Sequence, residues 1–436
     1  MKRLLIVSPH FPPVNAPDMQ RVRMSLPHYR AHGWEPVVLT VKPDRVDAVR
    51  EPELLATVPS DVRIEACDAY PPERAGRLGV GNLGLRALPF LRRAGADLLR
   101  REPFDLVFFS TTQFSTVPLG RLWRRRFGVP YVVDLQDPWR TDYYSRPGSR
   151  RPPGGWKYGF ARLQAALLEG WTLRRASGLI SVSGHYIDDL RARYRGLAAP
   201  AAVIPFGTSR ADLELARNGA APEFARSRRP GEVHVVYTGS SGPVMPHALT
   251  LLFEALRSYA ERFPETAKRL RFHFYGTSYV APGKGRPTVL PLAQECGVAA
   301  FVDEVPHRLG HLESLRLQAA ADVLLLAGSS DRAYSPSKLY PYYLTGKPIL
   351  ALVFRDSVLE RLLDELNAAA MVRFTEGAAR VEAHAALHRC FDAALAGFPP
   401  GTLPARNDAF FAEHYLAASL TQRQCELFEA AVSFRR

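Results

Sequence analysis

Short apolar runs alternate with longer helical stretches along the whole chain of 436 residues. In the first half, these runs are Leu4–Val7, Val37–Val41, Leu106–Ser110, Tyr131–Asp134, Leu179–Ser183 and Ala202–Pro205. Runs that are apolar on both faces are typical of a parallel sheet with helices on both sides. The alternation restarts at His234–Tyr237, after the polar stretch Ser209–Glu232. The pattern therefore predicts an α/β protein with two doubly wound domains.

The length of the chain supports the same division, because it is long for one ordinary domain and suits two, each with its own core. We expect a first domain over residues 1–208, an interdomain linker over 209–232 and a second domain over 233–405. Residues 406–436 form a separate C-terminal segment, dominated by the amphipathic helical stretch Asn407–Ser433.

Composition places the chain among globular proteins, with 47% hydrophobic and 23% charged residues. The four cysteines are scattered without a Cys-x-x-Cys pair, which fits reduced thiols in a cytosolic protein. No apolar run reaches membrane-spanning length, and Pro9 interrupts the N-terminal run too early for a signal peptide. We therefore expect a cytoplasmic protein.

The formal net charge of +14 is concentrated in one region, since nine arginines and three acids lie between Arg86 and Arg126. A helix beginning near Pro89 and a second one carrying Arg124–Arg126 are predicted here, with Trp123 and Phe127 beside the arginines. Basic amphipathic helices suit an anionic membrane surface, on the inner face of the plasma membrane. The alternative is a solvated arginine-rich face. No known nucleic-acid-binding motif is present, so nucleic acid is not expected as a partner.

The segment Ala321–Leu352 is predicted to form a strand, a polar loop, a short helix, a turn and another strand. Its loop ends in Ser335-Pro336-Ser337-Lys338, where Ser is a good N-cap and Pro suits the first helical position. The N–H groups of Ser337, Lys338 and Leu339 would then form an anion site. A start at Pro341 is an alternative, because proline strains a helix interior. A capped surface helix with a solvated lysine remains the other interpretation.

This segment resembles the donor half of GT-B glycosyltransferases of the retaining family 4, also called glycosyl transferases group 1. The resemblance rests on Pro336-Ser337-Lys338, Tyr342 and Gly346-Lys347-Pro348. Other segments resemble the same family in order and spacing: Leu4–Val41, Asp105–Trp139, Leu179–Leu190, Val203–Thr208, Val235–Gly239, Arg271–Gly276 and Phe301–Pro306. The resemblance implies GT-B architecture, with two Rossmann-like domains facing a central cleft and a final helix that crosses back to the first domain.

The implied activity is metal-independent transfer of a sugar from a nucleoside-diphosphate sugar to an acceptor hydroxyl, with retention and without a cofactor. The partners would be that donor and an acceptor glycan, glycolipid or small molecule, in envelope glycan or glycolipid synthesis. The alternatives are a degenerate nucleotide-binding relative without transferase activity and a tailoring enzyme acting on a soluble molecule. The absence of Asp-x-Asp gives no sign of the usual GT-A metal clamp.

The resemblance also assigns candidate residues to the loops that follow the strands. The catalytic candidates are Asp137 and His10, and the acceptor-binding candidates are Asn15, Arg21 and Trp139. The donor-binding candidates are Gly239, Ser240, Gly276, Val305, His307, Asp331, Ser335, Ser337, Lys338 and Leu339. The alternative for Asp137 is a turn cap, which Asp before Pro performs well.

Two departures from the family pattern affect the donor site. The usual Glu-x7-Glu positions hold Ala333 and Pro341, which leaves Asp331 as the nearest carboxylate substitute. The Arg and Lys that follow the first donor-domain strand in many relatives are missing from Gly239–His247. Lys338 would then have to supply the positive charge, with Arg332 or His307 as further candidates.

Overall fold

A computed structural model describes residues 1–73, 81–140, 156–241, 245–278, 285–375 and 380–434. The chain forms two compact units. The first consists of Met1–Gly207 with Ala417–Arg436, and the second of Thr208–Leu416. Each unit is an α/β structure around its own parallel sheet.

The first unit has seven strands and six α-helices within its described residues. The strands are β1 (Lys2–Val7), β2 (Trp34–Val41), β3 (Arg63–Cys67), β4 (Leu106–Ser110), β5 (Tyr131–Leu135), β6 (Gly178–Ser181) and β7 (Ala201–Val203). The helices are α1 (Gln20–Ser25), α2 (Leu83–Arg101), α3 (Pro118–Phe127), α4 (Trp156–Leu173), α5 (Gly184–Arg193) and, from the end of the chain, α16 (Ala417–Ser433).

The first sheet has the strand order β3-β2-β1-β4-β5-β6-β7, with every pair parallel. The winding direction reverses between β1 and β4, where Leu4 pairs with Leu106. Loops that follow two such strands leave in opposite directions and open a crevice at the carboxyl edge of the sheet. This crevice holds the first candidate site.

The second unit has six strands and ten α-helices within its described residues. The strands are β8 (Val233–Thr238), β9 (Leu270–Tyr275), β10 (Val302–Val305), β11 (Val323–Ala327), β12 (Ile349–Phe354) and β13 (Ala370–Phe374). The helices are α6 (Arg210–Arg217), α7 (Glu223–Arg226), α8 (Pro246–Arg262), α9 (Pro264–Ala267), α10 (Leu290–Glu295), α11 (His311–Ala320), α12 (Leu339–Thr345), α13 (Val358–Leu366), α14 (Arg380–Leu395) and α15 (Asp408–Tyr415).

The second sheet repeats the first, with the parallel order β10-β9-β8-β11-β12-β13. Its reversal lies between β8 and β11, where Leu324 pairs with Val236. The central strands β8, β11 and β12 are buried along their whole length, as their uninterrupted apolar sequences predict. The predicted fold class, an α/β protein with two doubly wound sheets, is confirmed.

The C-terminal segment divides at Leu416 between the two units. On α15, the rings of Phe411 and Tyr415 stack on tyrosines of α12. On α16, Phe428 packs against the rings of Tyr29, Trp34 and Phe108 in the core of the first unit. The predicted single segment 406–436 is therefore two helices that belong to different units.

Two local predictions differ from the structure. The expected linker 209–232 belongs to the second unit and contains α6, whose Asp212 carboxylate lies 2.8 Å from His311 Nε2 of α11. The helix expected from Pro89 begins six residues earlier, where the Asn82 side chain accepts from the Leu85 N–H. The Asn82 side chain explains the second difference, because it satisfies an N–H group at the helix start that the position of Pro89 does not reveal.

Candidate functional site

A histidine and a buried aspartate meet in the crevice of the first sheet. His10 follows β1, and its Nδ1 lies 2.8 Å from Asp18 Oδ1. Across the reversal, Thr111 Oγ1 donates to Asp18 Oδ2 at 2.9 Å and the Thr112 N–H donates to the same oxygen at 3.1 Å. Burial by itself raises the pKa of Asp18, but the hydrogen bond and charge of His10, with those from the threonines, bring it below its ordinary value.

The ionised Asp18 fixes the orientation of His10. A carboxylate only accepts hydrogen bonds, so Nδ1 of His10 carries the proton and Nε2 is the basic nitrogen. Among the described residues, no hydrogen bond of His10 Nε2 is found. A base held by a carboxylate in this way is the arrangement that general base catalysis requires.

Arg21, a predicted acceptor-binding residue, has internal partners in the structure. Its Nε lies 2.8 Å from Asp134 Oδ2, and both side chains are almost fully buried. The guanidinium also donates to the carbonyl oxygens of Ile204 and Pro205. Ser110 Oγ and Gln136 Nε2 complete the hydrogen bonding of Asp134 Oδ2. A buried charge needs such partners, so Arg21 holds the ends of strands together.

Asn15, another predicted acceptor-binding residue, also has internal partners. It is buried, and its Nδ2 donates to Glu51 Oε2 at 2.9 Å. Its Oδ1 accepts from Gln20 Nε2 at 3.3 Å, and its N–H donates to the Val49 carbonyl. The residue therefore fastens the loop after β1 to the segment near Glu51.

Asp137 and Trp139 follow β5 and lie at the surface. Asp137 is an exposed residue whose carboxyl is partly shielded, and this desolvation, followed by the charge of Asp18, raises its pKa. Burial and then the charge of Asp137 raise the pKa of Tyr186, so the phenol lies within electrostatic reach of the carboxylate. Trp139 stacks on Phe114, with ring centroids 5.4 Å apart and an interplanar angle of 10°. The half-buried pair presents an aromatic surface near Asp137.

In the second unit, four predicted donor residues line the carboxyl ends of neighbouring strands. The Gly239 N–H donates to the Tyr275 carbonyl, and the Gly276 N–H donates to the Val305 carbonyl, each at 2.8 Å. Both glycines have positive φ, at 113° and 70°, which other residues adopt at a cost. The Ser240 carbonyl accepts from Tyr237 Oη at 2.7 Å. These loops thus continue the sheet and turn sharply at its edge.

Lys338 reaches from the loop before α12 to the end of β8. Its Nζ lies 3.7 Å from the centroid of the Tyr237 ring and 3.0 Å from the place where a side chain on Gly239 would begin. The residue is half-buried overall, yet Nζ is shielded from solvent and has no hydrogen-bond partner in the part of the chain that the structure describes. Burial lowers the pKa of Lys338 to about 7. An ammonium held here without an anion is an incomplete arrangement.

The helix that follows differs from the predicted one. It begins at Leu339 rather than at Pro336, and Ser335 is not its cap. Pro341 decides this, because a residue without an N–H fits in the first turn and not further along. The Leu339 N–H donates to the Pro336 carbonyl at 3.1 Å and is therefore not free for an anion. Ser335 and Ser337 are exposed.

Two other predicted donor residues have different surroundings. Asp331 is exposed, and its Oδ1 accepts from the Ala333 N–H at 2.9 Å, so it caps a turn. His307 is half-buried at the end of β10, and its backbone lies against Gly285. Tyr342 Oη accepts from the Thr238 N–H at 2.8 Å and ties α12 to the end of β8. Sequence reasoning missed Asp18 and Tyr237 because their roles depend on neighbours in the folded sheet.

Comparison with known proteins now gives these two crevices a context. Residues 20–207 match the family model described as the glycosyl transferase 4-like domain. This part of the first unit is therefore similar to glycosyl transferase 4-like domains. No curated protein matches the sequence. The match agrees with the resemblance to family 4 found in the sequence, and that prediction is confirmed.

Solved structures show that the fold is GT-B. HepE from Anabaena, solved with UDP and glucose, has a TM-score of 0.58 and 15% identity over 98% of this chain and 100% of that one. A UDP-forming alpha,alpha-trehalose-phosphate synthase from Burkholderia vietnamiensis has a TM-score of 0.61 and 15% identity, over 100% of this chain and 99% of that one. WaaG, a glycosyltransferase involved in lipopolysaccharide biosynthesis, has a TM-score of 0.57 and 14% identity, over 98% of this chain and 99% of that one. The predicted GT-B architecture is confirmed by these structures. The predicted enzyme class, glycosyltransferase, is supported by the family match over residues 20–207.

The described residues show neither a metal cluster nor a membrane span. No group of three or more His, Cys, Asp or Glu side chains within them is arranged to hold a metal ion. No helix within the same residues is long and apolar enough to cross a membrane.

Proposed function

We propose that this glycosyltransferase moves a sugar from a nucleoside-diphosphate sugar to an acceptor hydroxyl, without a metal ion. The observation that carries the proposal is the ammonium of Lys338 at the edge of the second sheet, which lies on the Tyr237 ring and has no hydrogen-bond partner among the described residues. It lies at the reversal between β8 and β11, where ligands bind in open α/β sheets. A diphosphate supplies the anion that this position lacks.

Lys338 also supplies the positive charge that the loop after β8 lacks. Gly239–His247 contains neither Arg nor Lys, so the loop after β8 brings no cation of its own. Lys338 Nζ reaches the space beside Gly239 from another loop, which places a positive charge at the end of β8. When the bond between the sugar and the diphosphate breaks, negative charge develops on the leaving group. A buried cation fixed beforehand stabilises that charge at little cost in reorganisation.

His10 and Asp18 supply the acceptor side of the reaction. The acceptor hydroxyl gives its proton to His10 Nε2 while its oxygen forms the new bond to the anomeric carbon. The bond from that carbon to the diphosphate oxygen breaks, and the electron pair leaves with the nucleoside diphosphate. Asp18 holds the imidazole in the required tautomer and stabilises its positive charge. Asp137 and the Trp139–Phe114 surface lie in the neighbouring loops and bind the acceptor.

Family resemblance supports retention of the anomeric configuration. The hydrogen-bonded pair of His10 and Asp18 favours a second course, inversion, because a single displacement is assisted by a base that takes the acceptor proton. The configuration of the product bond, read from the coupling constant of the anomeric proton, decides between them. A product bond of retained configuration would rule out the single displacement.

The acceptor is a lipid-linked or envelope glycan, reached from the cytoplasmic side of the membrane. The net charge of +14 and the aromatic surface at Trp139 support this assignment. UDP is the first nucleotide to test, because the Anabaena neighbour was solved with it.

A thermal-shift screen with UDP, GDP, dTDP and their sugars tests the donor proposal. One nucleotide should raise the melting temperature in a concentration-dependent way, since binding to the native state stabilises it. Lys338→Gln should weaken that binding by about 1–3 kcal/mol, the scale of a hydrogen bond to a charged group. Lys347→Gln is the matched control, since it removes the same charge outside the crevice. Equal loss in both variants, or none in Lys338→Gln, would exclude Lys338 from the donor site.

Product formation separates an enzyme from a binding protein. Release of nucleoside diphosphate that increases when an acceptor extract is added, with a labelled glycan product, supports transfer. Tight nucleotide binding without either signal would instead indicate a nucleotide-binding relative that has lost its activity.

A further inference from the structure

One face of the first unit carries a row of exposed apolar side chains. Leu163, Leu167 and Trp171 lie four residues apart on α4 and are 58%, 66% and 38% exposed. Side chains at this spacing share one face of a helix. A single exposed leucine is ordinary on a protein surface, but a continuous row with a tryptophan at its end is not. Leu122 of α3, which is 42% exposed, adds to the apolar surface of this pair of helices.

Arginines border this row. The Arg121 guanidinium lies 4.3 Å from the centroid of the Trp171 ring and donates to the Trp171 carbonyl. Arg124 donates to the carbonyl of Arg175 at 2.5 Å, which joins the end of α3 to the end of α4. Arg125 and Arg126 are exposed on the last turn of α3. Within the described residues, neither of these two makes an ion pair with a carboxylate.

The two helices contribute almost no negative charge to this face. The sequences of α3 and α4 contain one acid, Glu169, and its side chain is buried. Glu169 is also occupied, because Arg193 Nη1 lies 2.9 Å from its Oε2 and the Tyr194 hydroxyl donates to the same oxygen. The described part of the α3–α4 surface therefore combines an apolar row, a tryptophan and arginines that have no carboxylate partner within it.

We propose that the α3–α4 face, defined by Leu122, Arg124–Arg126, Leu163, Leu167 and Trp171, binds the surface of an anionic lipid bilayer. The row from Leu163 to Trp171 is about 12 Å long, so it lies flat in the interfacial region while arginines contact lipid phosphates. Tryptophan prefers the level of the headgroups, and guanidinium groups pair with phosphates in two hydrogen bonds. The inference deepens the proposed function, on which it rests for its lipid-linked acceptor.

This face differs from the one that the sequence suggested. The arginine cluster was expected to act together with Trp123, but Trp123 is buried and stacks on Phe109. Arg86 is buried as well, and its guanidinium donates to backbone carbonyls of Arg45 and Tyr70. The exposed aromatic residue of this face is Trp171. It lies on α4, outside the arginine-rich region Arg86–Arg126 that the sequence indicated.

Vesicle flotation tests the proposal with the whole chain, at low and high salt. The protein should float with vesicles of phosphatidylcholine and phosphatidylglycerol, and remain in solution with phosphatidylcholine alone. Each arginine near such a surface strengthens binding roughly fivefold, so Arg124→Glu with Arg125→Glu should reduce it more than twentyfold. Leu163→Ser with Leu167→Ser should abolish the binding that remains at high salt, because apolar insertion is not screened.

Matched controls use exposed residues elsewhere on the same unit. Arg92→Glu with Arg93→Glu changes charge on α2, and Leu55→Ser removes an apolar side chain that is 45% exposed. Both controls should float like the unmodified chain. Wild-type protein that stays in solution with anionic vesicles, or equal loss in the controls, would overturn the proposal. The proposal would also be overturned if the chain does not bind lipid but self-associates in sedimentation, and the leucine variants abolish that self-association.

The test is independent of catalysis. The nucleotide-induced thermal shift should be the same in every surface variant, because none of these residues lies in either crevice. A chain that floats but shows no thermal shift with any nucleotide contradicts the donor proposal and leaves the membrane face intact. A normal thermal shift without flotation contradicts the membrane face and leaves the donor proposal intact.

Discussion

The buried ammonium of Lys338 predicts that nucleotide binding takes up a proton near neutral pH. Burial lowers the pKa of this lysine from its ordinary 10.5 to about 7 in the empty protein. A bound diphosphate favours the charged form and raises the pKa again. Diphosphate groups are already fully ionised above pH 7, since their last pKa is about 6. The dissociation constant for UDP should therefore rise by up to about tenfold for each pH unit above 7.

The same lysine affects the stability of the empty protein in the opposite sense. Its folded pKa lies below the unfolded one, so between about pH 7 and pH 10.5 the unfolded chain holds more protons. The free energy of unfolding should then rise with pH, by at most about 1.4 kcal/mol per unit, and the penalty is largest below pH 7. Lys338→Met should remove this slope and raise the melting temperature at pH 7, while weakening UDP binding.

Isothermal titration in buffers of different ionisation enthalpy measures the proton uptake directly. Uptake should approach one proton per UDP at about pH 8 and vanish in Lys338→Met. Lys347→Met provides the control and should keep both the uptake and the pH dependence. UDP affinity that does not change with pH in the wild-type chain, with no proton uptake, would refute the assignment of Lys338 to the diphosphate.

Four further substitutions test the two candidate sites and the buried ion pair of the first unit. Gly239→Ala should weaken UDP binding as Lys338→Met does, because its new methyl group would lie 3.0 Å from the ammonium at a φ of 113°; an unchanged affinity in titration would contradict this geometry. Asp18→Asn should lower turnover about 100-fold or more with little change in donor affinity, and Asp137→Asn should do so less strongly; steady-state kinetics with donor titration checks both. Arg21→Met should lower the free energy of unfolding by about 3–5 kcal/mol in chemical denaturation, because its buried carboxylate partner loses its counter-charge; a loss below about 1 kcal/mol would show that the pair is dispensable.

The parallel sheets could be predicted because their central strands are buried on both faces and read as apolar runs. The edge strands β3 and β13 could not, since Arg63–Cys67 and Ala370–Phe374 are partly exposed and mixed in composition. Helix starts were misjudged at Pro89 and Pro336, because a proline suits a first position but does not prove one.

For the sites, the sequence identified residues more reliably than their roles. Lys338 was predicted at the anion site, but its burial on Tyr237 depends on β8 lying beside β11 in the sheet. Asp18 was missed because its partner Thr111 is 93 positions away in the chain. Arg21 lies in the expected loop, yet its buried pairing with Asp134 could not be inferred from a local pattern.

The two sheets share the same reversal of strand order, but the buried charged groups beside it differ in their hydrogen bonding. In the first, Asp18 is buried with all its hydrogen bonds made, so His10 is oriented before any substrate arrives. In the second, Lys338 is buried with no hydrogen bond among the described residues, so that crevice is completed only by an anion. Since an unpartnered buried charge destabilises the native state and a bound diphosphate removes that cost, donor binding should stabilise the second unit strongly. The first unit has no such unpartnered charge among the described residues of its crevice, so acceptor binding should change the stability of that unit much less.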